Sequence, residues 1–345
     1  MPVVSGKQKL INRVTDLIRE GKCIQMLCFH LDPNALAEFN RVLSSLPHRP
    51  RRDLHELVEL NERNLKEMRD HYAVKAPSKA LLRVLTQTES VPDGKSIMIS
   101  KHIYSTFFKH PERYVADYAR LPLHARFEFN VRHMDSVEIW ILEAVFYEDM
   151  CALYNAWVLA ERGLTARSPK SERKRASALY RSMIVSVFNF EESFLNGLAY
   201  EHYLANEKSL SQATKDELRE WDSKRNQSRY LSFRAKLLVY PRLISGSATP
   251  PLQESNCAEM KFLLEKSKIL RDAVAHASPG MAVETTAIGK EEIIMNPDPE
   301  EAKRAVDAAI SLARKLNIAC KHTPDRLFWL DDRAQDGLFP SKVFN

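Results

Sequence analysis

Residues Ser177 to Asn206 read SALYRSMIVSVFNFEESFLNGLAYEHYLAN. Met183, Val187, Phe190, Phe194 and Leu198 recur there at steps of three and four, the period of one helical face, and no proline interrupts them. This predicts a long core helix. Downstream, Ser232 to Ser245 and Ala258 to Ala277 repeat the pattern, the latter with Met260, Leu263, Leu264, Leu270 and Val274 on one stripe. Glu300 to Lys321 follows, opened by Pro297 and Pro299. Each segment has one apolar face, so the four are expected to pack as an up-and-down bundle. The polar segment Ser211 to Asn226 serves as a crossover. The alternation of Val283, Thr285, Ile293 and Ile294 suggests a small β-like insertion at Ala282 to Met295, and Leu327-Phe328-Trp329-Leu330 is expected to dock on the bundle.

Upstream, helical periodicity covers Lys7 to Glu20, Asn34 to Ser45, Leu54 to Tyr72 and Ser78 to Thr88. Ile97 to Tyr118 reads as helix interrupted at Pro111, and Phe127 to Arg162 as one long helix or two stacked ones. The polar, basic stretch Thr165 to Arg175 (TARSPKSERKR) divides the chain into residues 1–165 and 166–345. The expected fold class is therefore all-α, in two helical halves. Only 9 glycines in 345 residues agree, since a turn-rich sheet protein needs more.

The net charge of +6 permits contact with nucleic acid without demanding it. Cys23, Cys28, Cys151, Cys257 and Cys320 are scattered and odd in number, as suits reduced thiols. No basic-then-apolar leader opens the sequence. The most apolar stretch, Val137 to Ala160, carries Glu138, Glu143, Glu148 and Asp149, which makes it a core helix and not a membrane span. A soluble, cytoplasmic protein is expected, with no membrane partner. There is no GxxxxGK[ST] loop, no GxGxxG after a strand and no GxSxG elbow. Cys23, Cys28 and His30 lack zinc-finger spacing and a fourth ligand, and no glutamate stands three residues before a histidine as di-iron bundles require. No metal or cofactor is expected.

The chemistry concentrates in Lys268-Ile269-Leu270-Arg271-Asp272-Ala273-Val274-Ala275-His276-Ala277-Ser278-Pro279-Gly280. Arginine offers a permanent cation with a planar fork of donors, and histidine changes charge near neutral pH. Together they form a minimal kit for metal-free phosphodiester cleavage: one group moves protons and the other stabilises charge on phosphate. Three other Arg/His pairs also have four to six residues between their members. Arg41/His48 and Arg49/His55 lie at the Pro47/Pro50 break, and Arg126/His133 has no stop signal after it. Arg271/His276 alone combines helix, polar neighbour and Ser-Pro-Gly stop.

An arginine, a polar residue and a histidine four to six positions beyond the arginine, near the end of the third core helix, resemble the signature of the HEPN domain. Arg271, Asp272 and His276 match it, and Phe188-Asn189-Phe190-Glu191-Glu192-Ser193-Phe194-Leu195-Asn196 resembles that family's first helix. The resemblance covers roughly residues 172–322. It implies a homodimer in which motifs from two protomers meet in one cleft. Five residues turn a helix through about 140°, so Arg271 and His276 of one chain do not share a face, which also favours two-fold pairing. Asp272 and His276 do share a face at i,i+4, where the carboxylate can orient the imidazole. In family members controlled by adenylylation, a tyrosine lies two residues beyond the histidine. Ser278 stands there, which argues against that control.

The expected function is a metal-independent endoribonuclease, with catalytic Arg271, Asp272 and His276 and with RNA, tRNA included, as partner. Arg49, Arg51, Arg52 and Lys268 are the candidate nucleic-acid contacts. The N-terminal half is expected to recognise or regulate, which leaves room for a regulatory partner; a defence or toxin setting rests on analogy with the family. The competing reading is a non-catalytic HEPN-like bundle that dimerises or binds a ligand. In that reading Arg271 pairs with a carboxylate such as Glu191 or Glu192.

Overall fold

The structure, a computed structural model, describes residues 5–28, 33–75, 96–115, 118–130, 137–275 and 298–330. The expected helix Ser78 to Thr88, the hairpin Ala282 to Met295, His276 and Ser278 lie outside them. The chain forms two compact units, residues 1–140 and 141–345.

In the first unit, α1 (Gly6–Leu27) and α3 (Arg51–His71) run parallel, with α2 (Pro33–Ser45) as the return. Val14, Ile18, Leu46 and Leu54 form their buried seam, lined by Phe39, Val42 and Leu57. Two ion pairs, Arg13–Glu62 at 2.7 Å and Glu20–Arg69, fix the register. An antiparallel sheet follows in the order β1-β2-β3, from β1 (Ser96–Ser100), β2 (Arg126–Asn130) and β3 (Val137–Trp140). A short helix, α4 (Lys101–Phe107), follows β1 directly.

These strands correct the helices expected at Ile97 to Tyr118 and from Phe127 onward. The reason is local: Phe127 and Phe129 are buried while Arg126 is exposed, a period of two that a five-residue strand satisfies and a helix does not. Helix resumes only at Leu142. The buried ammonium of Lys101 donates to the Leu121 carbonyl and lies 4.5 Å over the Tyr118 ring.

The second unit is almost wholly helical: α5 (Leu142–Arg162), α6 (Lys170–Asn206), α7 (Gln212–Leu218) and α8 (Phe233–Ser245). A two-residue hairpin, β4 (Trp221–Asp222) and β5 (Gln227–Ser228), separates α7 from α8. Next, α9 (Ala258–Phe262) passes through a π-helical turn (Leu263–Ser267) into α10 (Lys268–Ala275), and α11 (Pro299–Ala319) follows. The 37-residue α6 is the spine, and α5, α8, α10 and α11 pack on it. Since α5 packs along α6, the units divide at Trp140/Ile141, where the sequence reading divides them at 165/166. The polar stretch between these helices is a turn within one unit.

Two ion-pair systems tie the spine's neighbours together. Glu259 accepts from Lys315 Nζ at 2.5 Å and Ser311 Oγ at 3.0 Å, joining α9 to α11. Burial raises the Glu259 carboxyl, but the Lys315 ammonium and the Ser311 hydroxyl outweigh that and hold it at about 2. The second system is deeper. Arg326, in the 3₁₀ turn Pro324–Leu327, is 5% exposed; its Nε donates to Glu201 at 2.7 Å and its Nη2 to Glu143 at 3.4 Å. Trp329 then lies against Tyr147 and Phe190, so the terminal apolar segment docks as the sequence suggests.

Removing one member of a buried ion-pair network leaves its partners desolvated, at a cost of about 3 kcal/mol or more. Arg326→Ala is expected to lower stability by that amount in urea unfolding. An unchanged midpoint would show that the terminal segment is held by its apolar contacts alone.

Candidate functional site

Arg271 and Asp272 sit in α10, which packs on α6. The Arg271 guanidinium lies 5.1 Å from the Phe188 ring centroid, so one face of its charge rests on an aromatic surface. Its Nε approaches Asp272 Oδ1 to 3.2 Å and has no aligned hydrogen-bond partner among the described residues. Lys268, one turn earlier, pairs with the other oxygen of Asp272. The result is a short row, Lys268–Asp272–Arg271, with a net charge of one. The side chain of Arg271 is 20% exposed and that of Asp272 30%.

The arrangement can present a fixed cation to an anionic ligand, and the Asp272 carboxylate limits which way the guanidinium turns. Of the residues expected to act here, Arg271 and Asp272 come together and Lys268 joins them, its ammonium already engaged by Asp272. His276 lies outside the described residues, so no distance to it enters. Arg49, Arg51 and Arg52 belong to the first unit, at the start of α3.

The competing pairing of Arg271 with Glu191 or Glu192 is not found. Glu191 is fully buried, and neither of its carboxyl oxygens has a partner among the described residues. It stands one turn beyond Phe188 on α6. Burial drives its carboxyl well above the ordinary range, which favours the protonated form. Ser267, the last residue of the π-helical turn, is fully buried, and its hydroxyl has no partner among the described residues. Such turns recur at functional sites, and this one precedes the Arg271 segment directly.

Sequence reasoning missed a second polar cluster. Lys236 on α8 is 4% exposed; its Nζ pairs with Glu220 Oε1 at 2.6 Å and donates to Asn196 Oδ1 at 3.1 Å. Glu220 also accepts from the Tyr240 hydroxyl and the Leu231 N–H. Its backbone is left-handed, with φ 49°. A signal existed: Lys236 shares the stripe of Phe233, Leu237 and Tyr240, where an apolar residue belongs. With its bonds satisfied, the cluster reads as a fastening of the hairpin to α6 and α8.

Apart from this row, an open groove of about 900 Å³ runs between α9 and α11, lined by Phe262, Lys266, Glu301, Arg304 and Asp307 among others of both charges. Among the described residues no group of three or more His, Cys, Asp or Glu is placed to hold a metal ion. All five cysteines are buried. Tyr147, Tyr154 and Trp157 are likewise buried, whereas Trp140 is 39% exposed. No described helix is long and apolar enough to cross a membrane. Compared with protein-family models, with curated proteins and with solved structures, the chain matches none.

Glu191 gives a pH test. The native state holds its proton more tightly than the unfolded state, which loses it above the ordinary value of about 4.3, so stability falls as pH rises, by up to about 1.4 kcal/mol per pH unit. The fall continues until the native carboxyl itself ionises. Glu191→Gln is expected to remove this component from urea unfolding measured between pH 5 and 8. Parallel curves for the two proteins would mean that Glu191 finds a partner in the native state.

Proposed function

We propose that the second unit is a HEPN-type, metal-independent endoribonuclease acting as a homodimer. The observation that carries this reading is Arg271 itself: a guanidinium seated on Phe188 and flanked by Asp272, five residues before His276. The packing of α8, α10 and α11 on α6 supports a bundle of the expected kind.

In this mechanism one His276 takes the proton of a ribose 2′-hydroxyl, and the freed oxygen attacks the adjacent phosphorus. The P–O5′ bond breaks, and the 5′-oxygen receives a proton from the partner protomer's histidine. The products are a 2′,3′-cyclic phosphate and a 5′-hydroxyl. Arg271 stabilises the charge that builds on the non-bridging oxygens. RNA is cut and DNA is not, because the nucleophile is internal to ribose. The first unit recognises or regulates, in a cytoplasmic defence or toxin setting drawn from the family analogy.

A second reading has its own support. Four-fifths of the Arg271 side chain is covered and its charge is already shared with Asp272, as suits a non-catalytic bundle that dimerises or binds a ligand.

The test is cleavage of total tRNA and a labelled single-stranded RNA in EDTA. The wild type is expected to cut both, and His276→Ala to be slower by about 10²-fold or more. A 2′-deoxy substitution at the scissile nucleotide is expected to block cutting there. Equal cleavage by both proteins would move the chemistry elsewhere, and none by either would favour the non-catalytic bundle.

A further inference from the structure

The first unit gathers positive charge at one end. Residues 5–9 and 44–52 hold five cations, Lys7, Lys9, Arg49, Arg51 and Arg52, and no carboxylate. Folding brings these two distant segments together. The Lys7 ammonium donates to the Pro47 carbonyl at 3.4 Å, and a Cβ added to Gly6 would meet Arg51 Nη2 at 3.5 Å. Lys7, Lys9, Arg51 and Arg52 are exposed. The side chains of Lys9 and Arg51 make no ion pair among the described residues, and Arg49 acts on Glu38 only from a distance, the carboxylate being bonded to Arg41. Arg52 reaches Glu56 only at 3.5 Å, with 89% of its side chain in water.

The placement runs against the ordinary charge rule for helices. Because α1 and α3 are parallel, both present their N-terminal N–H groups, and hence their partial positive charge, at this end. Carboxylates stabilise such ends and cations oppose them. Yet the first turn of α1 has no acidic residue, and α3 opens with Arg51 and Arg52 ahead of Asp53, the one acid in its first turn. Like charges are thus concentrated with little in the protein to offset them. A polyanion laid across the cluster supplies what the fold withholds, and phosphate oxygens suit both guanidinium forks and lysine ammonium groups.

We infer that this end of the first unit is a binding surface for the phosphate backbone of RNA, with Lys7, Lys9, Arg49, Arg51 and Arg52 as its contacts. RNA as the polyanion rests on the ribonuclease reading; the charge cluster does not. Contacts of this kind position a strand without reading its bases, so binding is insensitive to sequence and strongly dependent on salt.

The experiment uses the full chain carrying His276→Ala, so that bound RNA stays intact, and a fluorescent 20-nucleotide single-stranded RNA followed by anisotropy in EDTA. The triple reversal Lys7→Glu, Arg51→Glu, Arg52→Glu is expected to weaken binding at least tenfold and to flatten the slope of log Kd against log salt. Reversing Arg173, Lys174 and Arg175, an exposed basic run on α6, is expected to leave both nearly unchanged. The first reversal also replaces cations with carboxylates at helix N-termini, so its thermal midpoint is expected to hold or rise, which separates lost binding from lost folding. Unchanged RNA affinity in that variant would overturn the inference. So would capture by phosphatidylserine vesicles in preference to RNA. Wild type that binds RNA through this surface but cuts none would leave the inference standing and remove the ribonuclease reading.

Discussion

A helix of 37 residues whose large side chains are buried on more than one face cannot stand at a surface. This is the constraint around which the second unit is built. Phe188, Phe190, Phe194 and Leu195 of α6 are each 3% exposed or less, and they point in several directions around the helix axis. Separate elements cover them: Phe233 of α8 against Phe188, Trp329 against Phe190, and Arg326 over Phe194. The same helix supports the candidate site, since Phe188 carries the Arg271 guanidinium on its face. Covering the spine and placing the cation are therefore one structural act.

Polar groups in this unit show how burial sorts by partner. Arg326 and Lys236 are buried and each is held by carboxylates. Glu191 is buried with none among the described residues, and its carboxyl shifts towards the neutral form. The first two outcomes offset desolvation by attraction, and the third disfavours the charge itself. Near the Arg271 segment, Glu191 stands one turn beyond Phe188 on α6, and the buried Ser267 stands just before α10.

Much of this was legible in the sequence. Long helices announce themselves because three- and four-residue steps repeat many times, as in Met183 to Leu198. The strands did not, because Ser96 to Ser100 and Arg126 to Asn130 offer only two or three alternations inside windows that also fit a helix. The stretch Thr165 to Arg175 looks like a linker because turns and linkers share a composition; only the packing of α5 on α6 separates the two. Arg271 and Asp272 could be singled out by spacing and the helix stop. Their support by Phe188, 83 positions away, could not, since no local rule fixes which face of α10 meets α6. The burial of Glu191 apart from Arg271 was equally hidden, as its expected partner exists in the chain and simply pairs elsewhere.

The five cysteines lead in a different direction. Each is buried, and burial pushes Cys28 and Cys320 up to about 12, far from the thiolate form that reacts with alkylating reagents. In the folded chain burial keeps all five away from solvent. Cys23 and Cys28 belong to the first unit, and Cys151, Cys257 and Cys320 to the second. The chain thus carries its own reporters of transient opening: which thiol a reagent finds first tells which unit has let solvent in.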